Sequence, residues 1–153
     1  MTRAIDRFSG DWRFLSNFYP SPFEYDGVLY ATNEHFFNAQ KSLDETERRY
    51  VADAPTPAEA KRRGRRVQLR PGWDDEIRYA MMIHGLALKF ADPGLRRQLL
   101  ETGSAELIEG TTWHDTHWGI CICRQHGGQG QNHLGKMLME LRGRLDATEE
   151  LEN

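Results

Sequence analysis

Cysteine is scarce in this sequence. There are two among 153 residues, Cys121 and Cys123. They stand one residue apart, a spacing that closes a badly strained ring, and in an extended chain they point to opposite faces. A disulfide framework is therefore not expected, and a reducing cytoplasm is the simpler compartment. Long apolar runs are also missing. No stretch approaches the roughly 20 residues that a membrane-crossing helix needs, so no membrane partner is expected. The first seven residues hold no apolar segment of a secretory signal. No charge of one sign dominates: 20 Lys plus Arg stand against 23 Asp plus Glu, a formal net charge of −3. That excludes a protein basic overall, but not a local basic site, because net charge averages over the surface. Internal repeats, long linkers and low-complexity tracts are not seen.

What is present suits an ordinary globular domain. Charged residues make up 28% and hydrophobic residues 39%, values unlike those of disordered chains. A chain of this length buries about 70% of its unfolded surface, enough for a core without a structural metal. One domain over residues 1–153 is expected, with its core at about 8–145 and an acidic, frayed tail at 146–153.

Local signals predict a mainly helical α+β fold with a small sheet. Phe23 to Tyr30 reads as a β-hairpin turning at Asp26-Gly27. Thr32 or Asn33 caps a helix from Glu34 to about Leu43. Thr56, Pro57 and Glu59 open a short helix ending near Gly64. A longer helix follows Pro71-Gly72, its buried face read as Ile77, Met81, His84 and Leu88, with His84 a hydrogen-bonded core histidine. Leu95 to Glu101 forms another short helix, and Ala105 to Glu109 a short strand. Residues 111–130 read as loop. A last helix runs from about Leu134 to Leu145, with Leu134, Leu138, Leu141 and Leu145 on one stripe.

Four segments offer chemistry. Glu34 and Lys41 are seven residues apart, nearly two helical turns, so both project from almost one face, with Phe37 and Asn38 between. Such a stripe forms an acid/base site if it lines a pocket; from spacing alone a solvated ion pair is the commoner outcome. Residues 112–119 hold Trp113, His114, Asp115, His117 and Trp118, a set that suits stacking on a planar ring or, equally, plugging a core. Lys61, Arg62, Arg63, Arg65, Arg66 and Arg70 form a run without acidic interruption, matched to phosphate or simply solvated, with Gly64 slightly favouring close approach to a ligand. Residues 127–135 are Gly-rich before a helix start but lack both nucleotide fingerprints, which leaves a mobile connection. Cys121, Cys123 and His126, with His114 or His117, were they to meet, hold zinc ligand types. Only one such cluster exists and its Cys-x-Cys spacing is tight, so packing of two small thiols is expected and no metal.

Five segments in order resemble the NADAR family, also described as YbiA-like. They are Phe14-Leu-Ser-Asn-Phe-Tyr-Pro20, Thr32-Asn-Glu-His-Phe-Phe-Asn-Ala-Gln-Lys41, Ala60-Lys-Arg-Arg-Gly64, Trp113 to Gly119, and Gly130-Gln-Asn-His-Leu-Gly135 with Leu138-Met-Glu-Leu-Arg142. The resemblance implies a mainly helical N-glycosidase that needs no cofactor. It also implies one of two substrate classes. One is ADP-ribose on guanine in nucleic acid; the other is a phosphoribosylaminopyrimidine intermediate of riboflavin synthesis. Both join ribose C1 to an exocyclic amine of a heterocycle. Carried onto this chain, it makes Glu34, Lys41 and Asp115 the catalytic set. Asn17, Phe18, Trp73, Trp118, Gly119 and Asn132 become substrate contacts, with Lys61 and Arg65 for phosphate. The length of the basic run leans towards ADP-ribosylguanine. A module that binds ADP-ribose or a nucleotide without cleaving it is the rival of another class. After Gly119 the sequence departs from shorter members, with residues 120–126 replacing a brief polar turn.

Overall fold

Thr32 and Asp26-Gly27 illustrate how local chemistry writes this fold. Asp26 and Gly27 both adopt positive φ, 53° and 77°, which is the two-residue turn that matches strand twist. Around it β2 (Phe23–Tyr25) and β3 (Val28–Tyr30) pair antiparallel. The Thr32 side chain then accepts the His35 N–H and caps α1 (Asn33–Ala39), a contribution of about 1 kcal/mol.

A computed structural model describes residues 3–152. The chain forms two units. One spans Asn17–Ala91; the other joins the N-terminal segment through Ser16 to Asp92–Asn153. The elements are mainly helical with small sheets, as expected. No helix among the described residues is long and apolar enough to cross a membrane.

The first unit is built around α1. It packs on α2 (Glu45–Ala52), α3 (Pro57–Gly64) and α4 (Arg78–Lys89). Tyr30, Phe36, Ala39, Val51 and Ala60 form the core cluster, with Phe23, Tyr25 and Leu88 at its edge. Every residue of α1 is buried except Glu34. The helix ends at Ala39 rather than near Leu43, and Asp44 caps an unforeseen α2 by accepting the Glu47 N–H. A π turn over Trp73–Ile77 precedes α4.

The buried face of α4 is Met82, Gly85, Leu86 and Lys89, one residue on from the expected stripe. The reason is Gly85, where a Cβ would lie 2.8 Å from the Phe36 ring and on the Asn33 amide. The helices touch at a residue that hydropathy does not register. His84 is consequently exposed, not a core histidine, and its ring edge meets Tyr25 at 5.1 Å.

The second unit pairs β1 (Ala4–Ile5) in parallel with β4 (Glu106–Leu107). A 3-10 helix covers Gly10–Leu15, and α5 (Pro93–Glu101) is capped by Asp92. The stretch expected as loop contains three two-residue strands in one sheet. β5 (Gly110–Thr111) pairs parallel with β6 (Ile120–Cys121), which pairs antiparallel with β7 (Gln129–Gly130). α6 (His133–Glu152) buries Leu134 and Leu138, with Leu141 and Leu145 half-buried on the expected stripe. It continues to Glu152, through the tail expected to fray.

Candidate active site

The candidate site in the first unit grows from the open side of α1. Asn38 lies one turn after Glu34. Its amide nitrogen donates both to the Glu34 carbonyl at 2.8 Å and to the Glu34 carboxylate at 3.0 Å. The carboxylate is thus fixed by a neighbour that is itself 1% exposed. Asn38 is fixed in turn by Gly64 of α3, where a Cβ would sit 2.5 Å from the Asn38 amide oxygen. Gly64 therefore serves a helix–helix contact, not the ligand approach that the sequence suggested. The Glu34 N–H, an orphan donor of the first helical turn, donates to the Asn17 carbonyl at 3.0 Å.

Lys41 follows the end of α1 and is half-buried. Its carbonyl accepts the Arg70 N–H at 2.7 Å, which ties down the turn. Burial pushes its amine below the ordinary lysine value. The Glu34 carboxylate opposes that shift, Arg65 and Lys61 add to it, and Asp74 opposes it. Glu34, Lys61, Arg65 and Asp74 thus each act on the Lys41 amine within one unit.

The rest of the basic run has other partners. Arg62 pairs with Glu59 at 2.8 Å. Arg63 donates to the Tyr50 carbonyl and lies over the Tyr50 ring, 4.8 Å from its centroid. Arg66 donates to the Tyr50 hydroxyl at 3.0 Å, and Arg70 to the Gln40 carbonyl at 3.4 Å. These partners are not visible in a charge count.

Several of the residues expected as substrate contacts have structural partners. Asn17 is 7% exposed; its amide oxygen accepts from Asn33 at 2.9 Å and its nitrogen faces the Met82 sulfur at 3.4 Å. Trp73 is buried against Phe37, ring centroids 5.1 Å apart. Phe18 stays exposed. His35, which sequence reasoning did not single out, has such partners as well. Its Nε2 lies 3.0 Å from the Ala54 carbonyl and must donate there, so Nδ1 accepts from the Thr32 hydroxyl at 2.8 Å.

The second unit holds the remaining candidates. The Asp115 carboxylate accepts the N–H groups of His117 and Trp118 at 3.0 and 2.9 Å, closing a tight turn. Trp118 is half-buried, its ring near His117 and His133. Gly119 is buried where a Cβ would press on the Glu109 carbonyl, so the close approach of these segments requires glycine there. Asn132 is 5% exposed at φ 53°. It accepts the Glu109 N–H and donates to the Leu107 carbonyl, at 3.0 and 2.9 Å, splicing the backbone between β4 and β5. Gly130 lies in β7 against the Gly119 carbonyl, so the Gly-rich stretch is partly sheet.

Residues 7–146 match the NADAR domain family. The N-glycosidase YbiA of Escherichia coli (strain K12) is 39% identical over 140 residues, 90% of this chain and 84% of that protein. A riboflavin biosynthesis protein of Vibrio vulnificus is 36% identical over 135 residues, 86% of this chain but 35% of its own length. The NMR structure of E. coli YbiA matches 100% of this chain and 90% of its own, with a TM-score of 0.81 at 36% identity.

Proposed function

The chain belongs to the NADAR family, and from that premise we propose that it hydrolyses the bond between ribose C1 and an exocyclic amine of a heterocyclic base, in a substrate carrying phosphate. The observation that carries this reading is the desolvated Lys41 amine beside Glu34, with Lys61 and Arg65 adding positive charge. An amine must be partly neutral to be a nucleophile, and burial with nearby cations is what makes a lysine so. A clamp of two cations suits the phosphate of the substrate.

The proposed sequence conserves atoms and charge. The glycosylamine ring opens to a protonated imine at C1 as the ring oxygen takes up a proton that Glu34 relays from solvent. The neutral Lys41 amine adds at C1. Glu34 carries a proton from the lysine nitrogen to the exocyclic nitrogen, and the C1–N bond to the base breaks. The released base keeps its amine, and C1 stays bound to Lys41 as a Schiff base. Water then adds at C1 and releases the sugar and the lysine. In the direct alternative, Glu34 activates water while C1 gains oxocarbenium character.

The length of the basic run pointed to ADP-ribosylguanine. With Arg62, Arg63, Arg66 and Arg70 engaged inside the protein, Lys61 and Arg65 remain as the clamp. Two cations balance a single phosphomonoester or a pyrophosphate equally. The Vibrio relative, a riboflavin biosynthesis protein by name, favours the phosphoribosylaminopyrimidine as the second reading. The test is incubation of the purified chain with each substrate, followed by mass spectrometry of the products. The base with its exocyclic amine restored, released together with ADP-ribose or with ribose 5-phosphate according to the substrate, is the expected result. Binding without product from both would replace the enzyme by a binding module.

A further inference from the structure

We infer that His114, Cys121, Cys123 and His126 form a four-ligand zinc site in the second unit. These side chains lie outside the Glu34–Lys41 constellation. Sequence spacing offers only the Cys-x-Cys pair followed by His126. The sheet supplies the fourth ligand. β5 and β6 run in parallel, so the connection between them returns His114 towards the end of β6, where Cys121 sits. Cys123 and His126 then occupy the turn that leads into β7. Gly128 donates to the Cys121 carbonyl at 2.7 Å and Gly127 to the Cys123 carbonyl at 2.8 Å, closing that turn. Both glycines adopt positive φ, 87° and 54°, which residues with a Cβ rarely do.

The ligand atoms converge. His114 Nδ1 and His126 Nδ1 are 3.3 Å apart. Cys123 Sγ is 3.0 Å from His126 Nδ1 and 3.4 Å from His114 Nδ1. With Cys121 Sγ included, all four atoms lie within 4.8 Å of one another. Zinc bonds of about 2.0–2.1 Å to nitrogen and about 2.3 Å to sulfur set tetrahedral edges of about 3.3 Å for N–N and about 3.5 Å for S–N. Two edges of the observed triangle, 3.3 and 3.4 Å, match those lengths and the third, 3.0 Å, is shorter, so a small opening at His126 seats the ion. An imidazole Nδ1 makes one in-plane hydrogen bond. A closed triangle of two such nitrogens and a thiol therefore cannot satisfy every contact by hydrogen bonding, whereas one cation at its centre can.

Cys121 is fully buried, Cys123 and His126 are half-buried and His114 is exposed, so the set runs from the sheet to the surface. Two thiolates and two imidazoles in a tetrahedron select zinc over the hard oxygen-loving cations. Four protein ligands leave no open position for substrate or water, which makes the site structural. Its effect is to staple the segment carrying Asp115 and Trp118 to the β6–β7 turn.

The test starts from the full chain, expressed with zinc and purified without chelator. Elemental analysis should give close to one zinc per chain. The metal-free chain, titrated with Co2+, should develop the visible bands of tetrahedral cobalt with thiolate ligands. Cys123→Ser and His126→Ala should each lower retained zinc at least tenfold, while His84→Gln, exposed in the other unit, retains it. X-ray absorption of the zinc-loaded wild-type chain should show two sulfur and two nitrogen neighbours, a readout that does not depend on any variant folding. Less than a tenth of an equivalent bound in excess zinc, binding that survives both ligand variants, or a shell of oxygen and nitrogen alone would overturn the site.

Discussion

The Asn38 amide holds Glu34 twice, at its carbonyl and at its carboxylate, from a fully packed position on the same helix. A carboxylate held in that way is restricted to one orientation on α1. The cost of misplacing a reacting group by about 1 Å is on the order of 10²-fold in rate, which is what such a support protects against.

Glu34→Gln removes the proton-carrying group and keeps an acceptor for Asn38. N-glycosidase activity on the better substrate should fall about 10²–10⁴-fold, with the circular dichroism spectrum and melting temperature little changed. Activity within a few-fold of wild type would remove Glu34 from the mechanism.

Lys41 should be reactive at lower pH than an ordinary lysine. Labelling of its amine by reductive methylation, followed peptide by peptide, should reach half-maximum below the usual value of about 10.4. The sign for each neighbour follows from its charge. Lys61→Gln or Arg65→Gln removes a cation that disfavours the charged amine, so the midpoint rises. Glu34→Gln removes an anion that favours it, so the midpoint falls. A midpoint indifferent to all three would mean that the four groups do not share a site.

Borohydride added during turnover should trap the sugar on Lys41 and add its mass to that peptide. Lys41→Ala should lose both trapping and turnover. An active Lys41→Ala chain with no adduct in wild type would leave the direct water route.

Gly64→Ala places a methyl group on the Asn38 side chain. The expected loss of stability is about 1–3 kcal/mol from overpacking, read by denaturant unfolding. Turnover at temperatures where the variant is folded should fall as well, because Asn38 must move away from Glu34. A stable variant with full activity would show that α1 and α3 can separate at no cost to the site.

Asn132→Ala removes the acceptor of the Glu109 N–H and the donor to the buried Leu107 carbonyl, at a cost of about 1–3 kcal/mol. Asp115→Asn, in contrast, retains an oxygen that can accept from His117 and Trp118, so the turn should hold. Loss of activity in Asp115→Asn with an unchanged melting temperature would assign the carboxylate charge a part in the reaction. Unchanged activity would leave Asp115 as a turn-forming residue.

The sequence by itself determined what depends on near neighbours. The Asp26-Gly27 turn, the Thr56-Pro57 helix start and the Leu134–Leu138 stripe follow from φ preference, capping and period, each settled within a few residues. The seven-residue spacing of Glu34 and Lys41 reads as one helical face, but α1 ends at Ala39 and the turn held by Arg70 carries Lys41 instead. Their family pattern was legible in five ordered segments. What only tertiary structure decided are the choices among chemically similar residues. It gave Arg62, Arg63, Arg66 and Arg70 intramolecular partners, buried Asn17 and Asn132 in hydrogen bonds to distant residues, and drew His114 to Cys121, Cys123 and His126. These outcomes depend on which backbone groups need partners and where glycines let segments approach, as at Gly64 and Gly85. A hydrogen bond between residues 23 apart, like that from Glu109 to Asn132, leaves no periodic trace in the chain. It exists only once the strands that bring it together have paired.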